Sequence, residues 1–173
     1  IRPPSADYAQ TWAHSGVVTM VTLAPELPGA AEVVRVLRAA GVVVAAGHSL
    51  ATYDEAASAA VEGVTHGTHL FNAMPPLHHR APGLAGFLLT EPGLTAGVIA
   101  DGVHLHPAVV ALAWAALGPD RLVLVTDAVA ATGLGDGAHP LGPVAVSVEG
   151  AVTVGPDGQL AGSVLTLDAA VRN

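Results

Sequence analysis

The chain has 173 residues, 51% of them apolar and 12% charged, and a formal net charge of −8. That length and composition suit one domain with a substantial core, while the acidic balance argues against a nucleic-acid binder, which needs basic clusters against phosphate. There is no Cys and no Lys, since all six basic residues are Arg; disulfides, thiolate metal sites, a Cys nucleophile, a P-loop or Schiff-base lysine and a lysine bridging two metals are all excluded.

Apolar runs alternate with helical patterns along the chain. Residues 17–23 read as a strand, and 28–40 as a helix opened by Pro28-Gly29 and closed by Gly41. Residues 42–46 form the next strand. Thr52-Tyr53-Asp54-Glu55 is a capping box that starts a helix running to Glu62, closed by Gly63. Residues 64–68 are a third strand, followed by a loop rich in Pro and His over 72–82. Residues 95–100 are a fourth strand, 107–117 a helix started by Pro107, and 121–126 a fifth strand. The helix candidate at 108–117 is too short to cross a bilayer, and no signal or transit segment is visible, so no membrane partner is expected. Residues 144–148 and 151–154 alternate around Glu149-Gly150 as an antiparallel hairpin, and 165–172 look helical again.

Short β-branched strands separated by helices mean parallel β/α units, either an open doubly wound sheet or part of a closed barrel. A whole (β/α)8 barrel takes roughly 250 residues, of which this chain could hold about five-eighths.

Nine His in a chain without Cys stand out. His48, His69 and His104 follow the second, third and fourth strands, and Asp127 ends the fifth. In a barrel all four fall at the strand ends that carry the active site. A His/Asp set of this kind suits a catalytic divalent metal or an acid/base site. Each residue alone is more often structural: a single His after a strand packs or faces solvent, and an Asp there caps the next helix. Four at the same ends of successive strands outweigh that reading. By alternation His66 points away from His69, into a structural role. His106 is a capping or surface residue beside Pro107. His14 and His139 are expected in loops, without a role. His78-His79-Arg80 is a compact basic spot in an acidic chain, which suits an anion.

Several strings resemble N-acetylglucosamine-6-phosphate deacetylases: Thr22-Leu23-Ala24-Pro25-Glu26, Gly47-His48-Ser49, Thr68-His69-Leu70-Phe71-Asn72-Ala73-Met74, His79-Arg80, Asp101-Gly102-Val103-His104, Leu124-Val125-Thr126-Asp127-Ala128 and Leu160-Ala161-Gly162-Ser163. The resemblance covers nearly the whole chain and implies the C-terminal portion of such an amidohydrolase. The chain also begins at Ile1 rather than Met and stops just after a helical pattern, so both ends read as cuts.

The implied fold is α/β: about the last five β/α units of a (β/α)8 TIM barrel over 1–138, an antiparallel β-hairpin segment over 139–163, and the start of a final barrel helix over 164–173. The implied reaction is hydrolysis of the acetamide of N-acetylglucosamine 6-phosphate. His48 and His69 match metal ligands, and Asp127 matches the catalytic aspartate. Asn72, Ala73, Arg80, His104, Leu160, Ala161 and Gly162 match substrate-binding positions, with Arg80 on the sugar phosphate and His104 orienting the substrate or stabilising an oxyanion. The resemblance further implies one divalent metal ion (zinc first; iron, manganese and cobalt also suit the donors), a homodimer in which Arg80 serves the neighbouring subunit, and a cytoplasmic location.

Two features depart from the pattern. The glutamate that supplies the third metal ligand is absent, and Glu26 does not replace it; Val129 stands where Met is usual. Two alternatives stay open: another amidohydrolase, such as a deaminase or cyclic-amide hydrolase, or an inactive truncated domain.

Overall fold

The computed structural model describes residues 2–173. Its elements run α1 (Ala6–Ser15), β1 (Met20–Leu23), α2 (Ala30–Ala39), β2 (Val43–Ala46), α3 (Tyr53–Glu62), β3 (Val64–Gly67), α4 (Gly83–Thr90), β4 (Thr95–Val98), α5 (Pro107–Arg121), β5 (Leu122–Leu124), β6 (Gly137–Leu141), β7 (Val144–Glu149), β8 (Val152–Val154) and α6 (Leu167–Arg172). Strands β1 to β5 form one sheet in chain order, and β6 to β8 form another. The parallel α/β expectation is met. The chain divides into two compact units, one reaching to Gly97 and including Ala116–Leu122, the other made of Val98–Ala115 and Val123–Asn173.

In the first unit β1, β2 and β3 pair in parallel, with Met20 opposite Val43 and Ala46 opposite Gly67. Helix α2 buries Ala30, Val33, Val34 and Leu37, the i, i+3, i+4, i+7 stripe of an amphipathic helix. Burying each larger side chain contributes about 1.5–3 kcal/mol. The capping box of α3 is formed from both sides: Thr52 Oγ1 accepts from the Glu55 amide at 3.2 Å, and the Glu55 carboxylate accepts from the Thr52 amide at 2.8 Å. Gly67 lets α4 pack close on β3, since a Cβ there would sit 2.3 Å from Leu88 Cδ1 and the leucine would have to turn away. The Arg121 guanidinium closes α4 by donating to the carbonyls of Leu88, Leu89, Glu91 and Leu94, the donor role that basic side chains take at helix C-termini.

In the second unit β6, β7 and β8 form an antiparallel meander. Ala131, Val146 and Val148 are its buried core, joined by Val129, Leu141, Ala161 and Val164. A second small cluster gathers Ile99, Leu165 and Ala170.

Several expectations are corrected. The first strand begins at Met20 rather than Val17, which is 80% exposed and has nothing to pack against. Residues 6–15 and 83–90 are helices the pattern did not announce, so His14 lies in α1, where its Nδ1 sits 2.7 Å from the Gln10 carbonyl. The expected hairpin is a three-stranded sheet, and His139 lies in β6 instead of a loop. The helix expected over 107–117 ends as expected at a break at Gly118 (φ 66°, ψ −175°), and a further helical turn over 119–121 completes α5. His66 is 8% exposed, with its Nδ1 2.7 Å from Thr95 Oγ1, the structural role expected. His106 caps α5 as expected: its ring Nδ1 accepts from the Ala108 amide and its carbonyl from the amides of Val109 and Val110.

Candidate active site

In the first unit His48 follows β2 and His69 follows β3. Their Nε2 atoms lie 2.9 Å apart, with ring planes 73° to each other. Two imidazole nitrogens at that spacing can both lie about 2.0–2.1 Å from a single zinc-sized ion, so donor type and geometry fit a shared divalent metal. They make only part of a ligand set, because the described residues hold no cluster of three or more His, Cys, Asp or Glu able to bind a metal.

The backbone around this pair is strained. His48 (φ 49°), His69 (φ 33°), Phe71 (φ 74°) and Ala73 (φ 50°) are all left-handed without being glycine. Such residues cost of order 1–3 kcal/mol each and persist only where the surroundings over-determine them. Here the surroundings are hydrogen bonds between loops. The Ser49 amide donates to the Ala73 carbonyl at 3.1 Å, and the Leu70 amide to the Gly97 carbonyl at 2.7 Å. The Asn72 side-chain amide donates to the carbonyls of His69 and Leu70, so Asn72 shapes the His69 loop.

Sequence reasoning set Glu26 aside as a ligand and missed what it does. Its carboxylate accepts from Ser49 Oγ at 2.7 Å and from the Leu50 amide at 2.6 Å. Ser49 is 1% exposed, and its Oγ also accepts from the Ala51 amide at 3.0 Å. Glu26 thus pins the turn that carries His48. Arg80 is exposed, with its guanidinium 2.6 Å from His79 Nε2. It borders a hollow of 570 Å³ that Leu50, Tyr53, Asp54 and Pro75 also line.

In the second unit Asp127 follows β5 and is also left-handed, at φ 51°. Residues 162–163 clamp its backbone. The Ser163 amide donates to the Asp127 carbonyl at 2.8 Å, and the Val129 amide to the Ser163 carbonyl at 2.9 Å. Ser163, 1% exposed, donates through Oγ to the Thr126 carbonyl and accepts from the Leu165 amide at 3.0 Å. A Cβ on Gly162 would lie 2.5 Å from Val129 Cγ1 and 2.8 Å from the Asp127 carbonyl, so only glycine fits. Ala161 packs on the core of the meander, and Leu160 is 43% exposed.

Asp101 is the second residue that sequence reasoning left without a role. One carboxylate oxygen accepts from the amides of Val103 and His104, at 2.9 and 2.8 Å, and the other lies 2.6 Å from His104 Nδ1. The side chains of His104 and Asp101 are 6% and 4% exposed. Burial pushes the Asp101 carboxyl upward, but the hydrogen bonds from His104 and Val103 outweigh it and hold the group below its ordinary value. The Asp-x-x-His spacing was the available signal.

Residues 4–173 match the model of the amidohydrolase family. The chain is 45% identical over 174 residues to the N-acetylglucosamine-6-phosphate deacetylase of Danio rerio, covering 97% of this chain and 43% of that protein. To that of Bacillus subtilis it is 39% identical over 175 residues, covering 100% and 44%. Among solved structures, an N-acetyl-D-glucosamine-6-phosphate deacetylase mutant from Mycobacterium smegmatis, in complex with N-acetyl-D-glucosamine-6-phosphate, superimposes with a TM-score of 0.95 at 41% identity, over 99% of this chain and 46% of that one. The enzyme from Thermotoga maritima gives 0.90 at 39%, over 100% and 47%. The chain therefore spans less than half the length of these relatives. With 4–173 matched, it belongs to the amidohydrolase family.

Proposed function

We propose that this chain is part of a metal-dependent deacetylase that hydrolyses N-acetylglucosamine 6-phosphate to glucosamine 6-phosphate and acetate. The observation that carries the reading is the His48–His69 pair, two strained histidines from successive strands with Nε2 atoms 2.9 Å apart. The names of the relatives supply the substrate. The five-stranded sheet is then part of a (β/α)8 barrel.

His48 and His69 would hold one divalent ion, zinc first, with further ligands from outside this chain. When bound, the metal polarises the acetamide carbonyl and acidifies water. Asp127 accepts the proton of the attacking water as general base and returns it to the departing amine. A C–O bond forms, the amide C–N bond breaks, and the proton ends on nitrogen. His104 orients the sugar. Arg80 grips the phosphate, across a homodimer interface. Asn72, Ala73, Leu160, Ala161 and Gly162 border the sugar through backbone and small side chains. No helix among the described residues is long and apolar enough to cross a membrane; a cytoplasmic setting follows from the phosphosugar substrate.

The test is amine release from N-acetylglucosamine 6-phosphate with zinc supplied and His69→Ala as control. Release that the control abolishes supports the reading. Equal turnover of unphosphorylated N-acetylglucosamine would overturn the phosphosugar assignment.

A further inference from the structure

We infer that Asp101 is a positioning residue that locks His104 as its Nδ1–H tautomer, so that Nε2 meets the substrate as a hydrogen-bond acceptor for a sugar hydroxyl. This rests on the reading above, in which His104 touches the sugar.

An ionised carboxylate only accepts hydrogen bonds. The hydrogen bonds that hold the Asp101 carboxyl low keep it ionised, so the proton in the 2.6 Å contact belongs to His104 Nδ1. Which imidazole nitrogen carries the proton is set by the bond the other one makes. A neutral ring with its proton on Nδ1 has a bare lone pair on Nε2. It accepts from a hydroxyl but cannot donate to an oxyanion. Of the two roles open for His104 from sequence, a neutral ring with its proton on Nδ1 suits orientation of the substrate.

The same contacts explain why the residue is Asp and not Asn. The carboxylate oxygen that takes the amides of Val103 and His104 must be an acceptor. An Asn would have to place its carbonyl oxygen there, which turns its NH2 toward His104 Nδ1. That nitrogen would then accept, and the proton would move to Nε2. Asp101→Asn therefore inverts the tautomer with almost no change in shape. Gly102, at φ 74°, lets the chain fold back so that one aspartate reaches all three donors.

The experiment is a long-range proton–nitrogen spectrum of the chain with nitrogen-15 in its imidazoles, the His104 signals assigned by their loss in His104→Gln. Wild type should show a neutral ring with its proton on Nδ1, and Asp101→Asn a proton on Nε2. Turnover of N-acetylglucosamine 6-phosphate by Asp101→Asn should fall about 10-fold, mainly through KM, because the sugar hydroxyl that donates to Nε2 must turn to accept from it and give up its other arrangement. A wild-type His104 protonated on Nε2, or on both nitrogens, overturns the inference and needs no variant to fold. An inverted tautomer with unchanged turnover removes the acceptor role of Nε2 while the deacetylase reading stands. Equal turnover of unphosphorylated N-acetylglucosamine overturns the phosphosugar reading, and with it the assignment of a sugar hydroxyl to Nε2, while the tautomer set by Asp101 stands.

Discussion

The two units hold their polar side chains in different ways. In the first, two histidines from different strands meet directly, Nε2 to Nε2, and strained backbone at four non-glycine positions surrounds them. In the second, Asp127 and His104 are each held singly, Asp127 by a backbone clamp and His104 by one carboxylate. The difference follows the chemistry proposed for each. A shared metal demands a fixed separation between two donors, so the loops carrying them are tied to each other. Proton transfer and hydroxyl recognition demand a fixed protonation state, which is set one residue at a time. Both units also use a buried serine whose Oγ accepts from the amide two residues on, Ser49 from Ala51 and Ser163 from Leu165. Ser49 donates to a carboxylate, whereas Ser163 donates to a carbonyl.

The largest expected effect is on the proton carrier. Asp127→Asn should lower kcat for the deacetylation by about 10²- to 10⁴-fold, the range for a general acid–base group; an unchanged kcat would remove Asp127 from the chemistry. Next comes the contrast between the two serine braces. Glu26→Gln replaces bonds to a charged acceptor and should cost about 1.5–3 kcal/mol in chemical denaturation, while Ser163→Ala, which loses neutral bonds, should cost about 1–2 kcal/mol. The reverse order would break the comparison. Thr153 sharpens it from the other side. Its Oγ1 is buried without a hydrogen-bond partner among the described residues, so Thr153→Val should stabilise the chain by about 1 kcal/mol, read as a higher denaturant midpoint.

The smallest effect concerns pH. Burial lowers the proton affinity of His66 below its ordinary value of 6.5. The unfolded chain then binds a proton that the folded ring resists, so stability is complete above about pH 6.5 and declines as the pH falls below it. His66→Gln should flatten that decline in melts taken at a series of pH values.

Much of this molecule was legible because its signals are local. The Thr52–Glu55 capping box, the apolar stripe of α2 and the inward face of His66 depend on neighbours a few residues away, and all three stand where the pattern put them. The four polar residues at strand ends were legible for the same reason: each follows an apolar run. Helix α4 was not, because Gly83–Thr90 is apolar all round and has no amphipathic period. Strand β6 was not, because a segment with Gly137 and Pro140 becomes a strand only by pairing with β7. The left-handed backbone at His48, His69 and Asp127 runs against residue preference and is imposed by bonds between loops. Residue type and order thus determined which polar side chains stand after the strands, the ones proposed to carry the chemistry. Only the tertiary structure decided the 2.9 Å between two imidazoles, the brace from Glu26 and the choice of proton on His104, because each depends on groups brought together by folding.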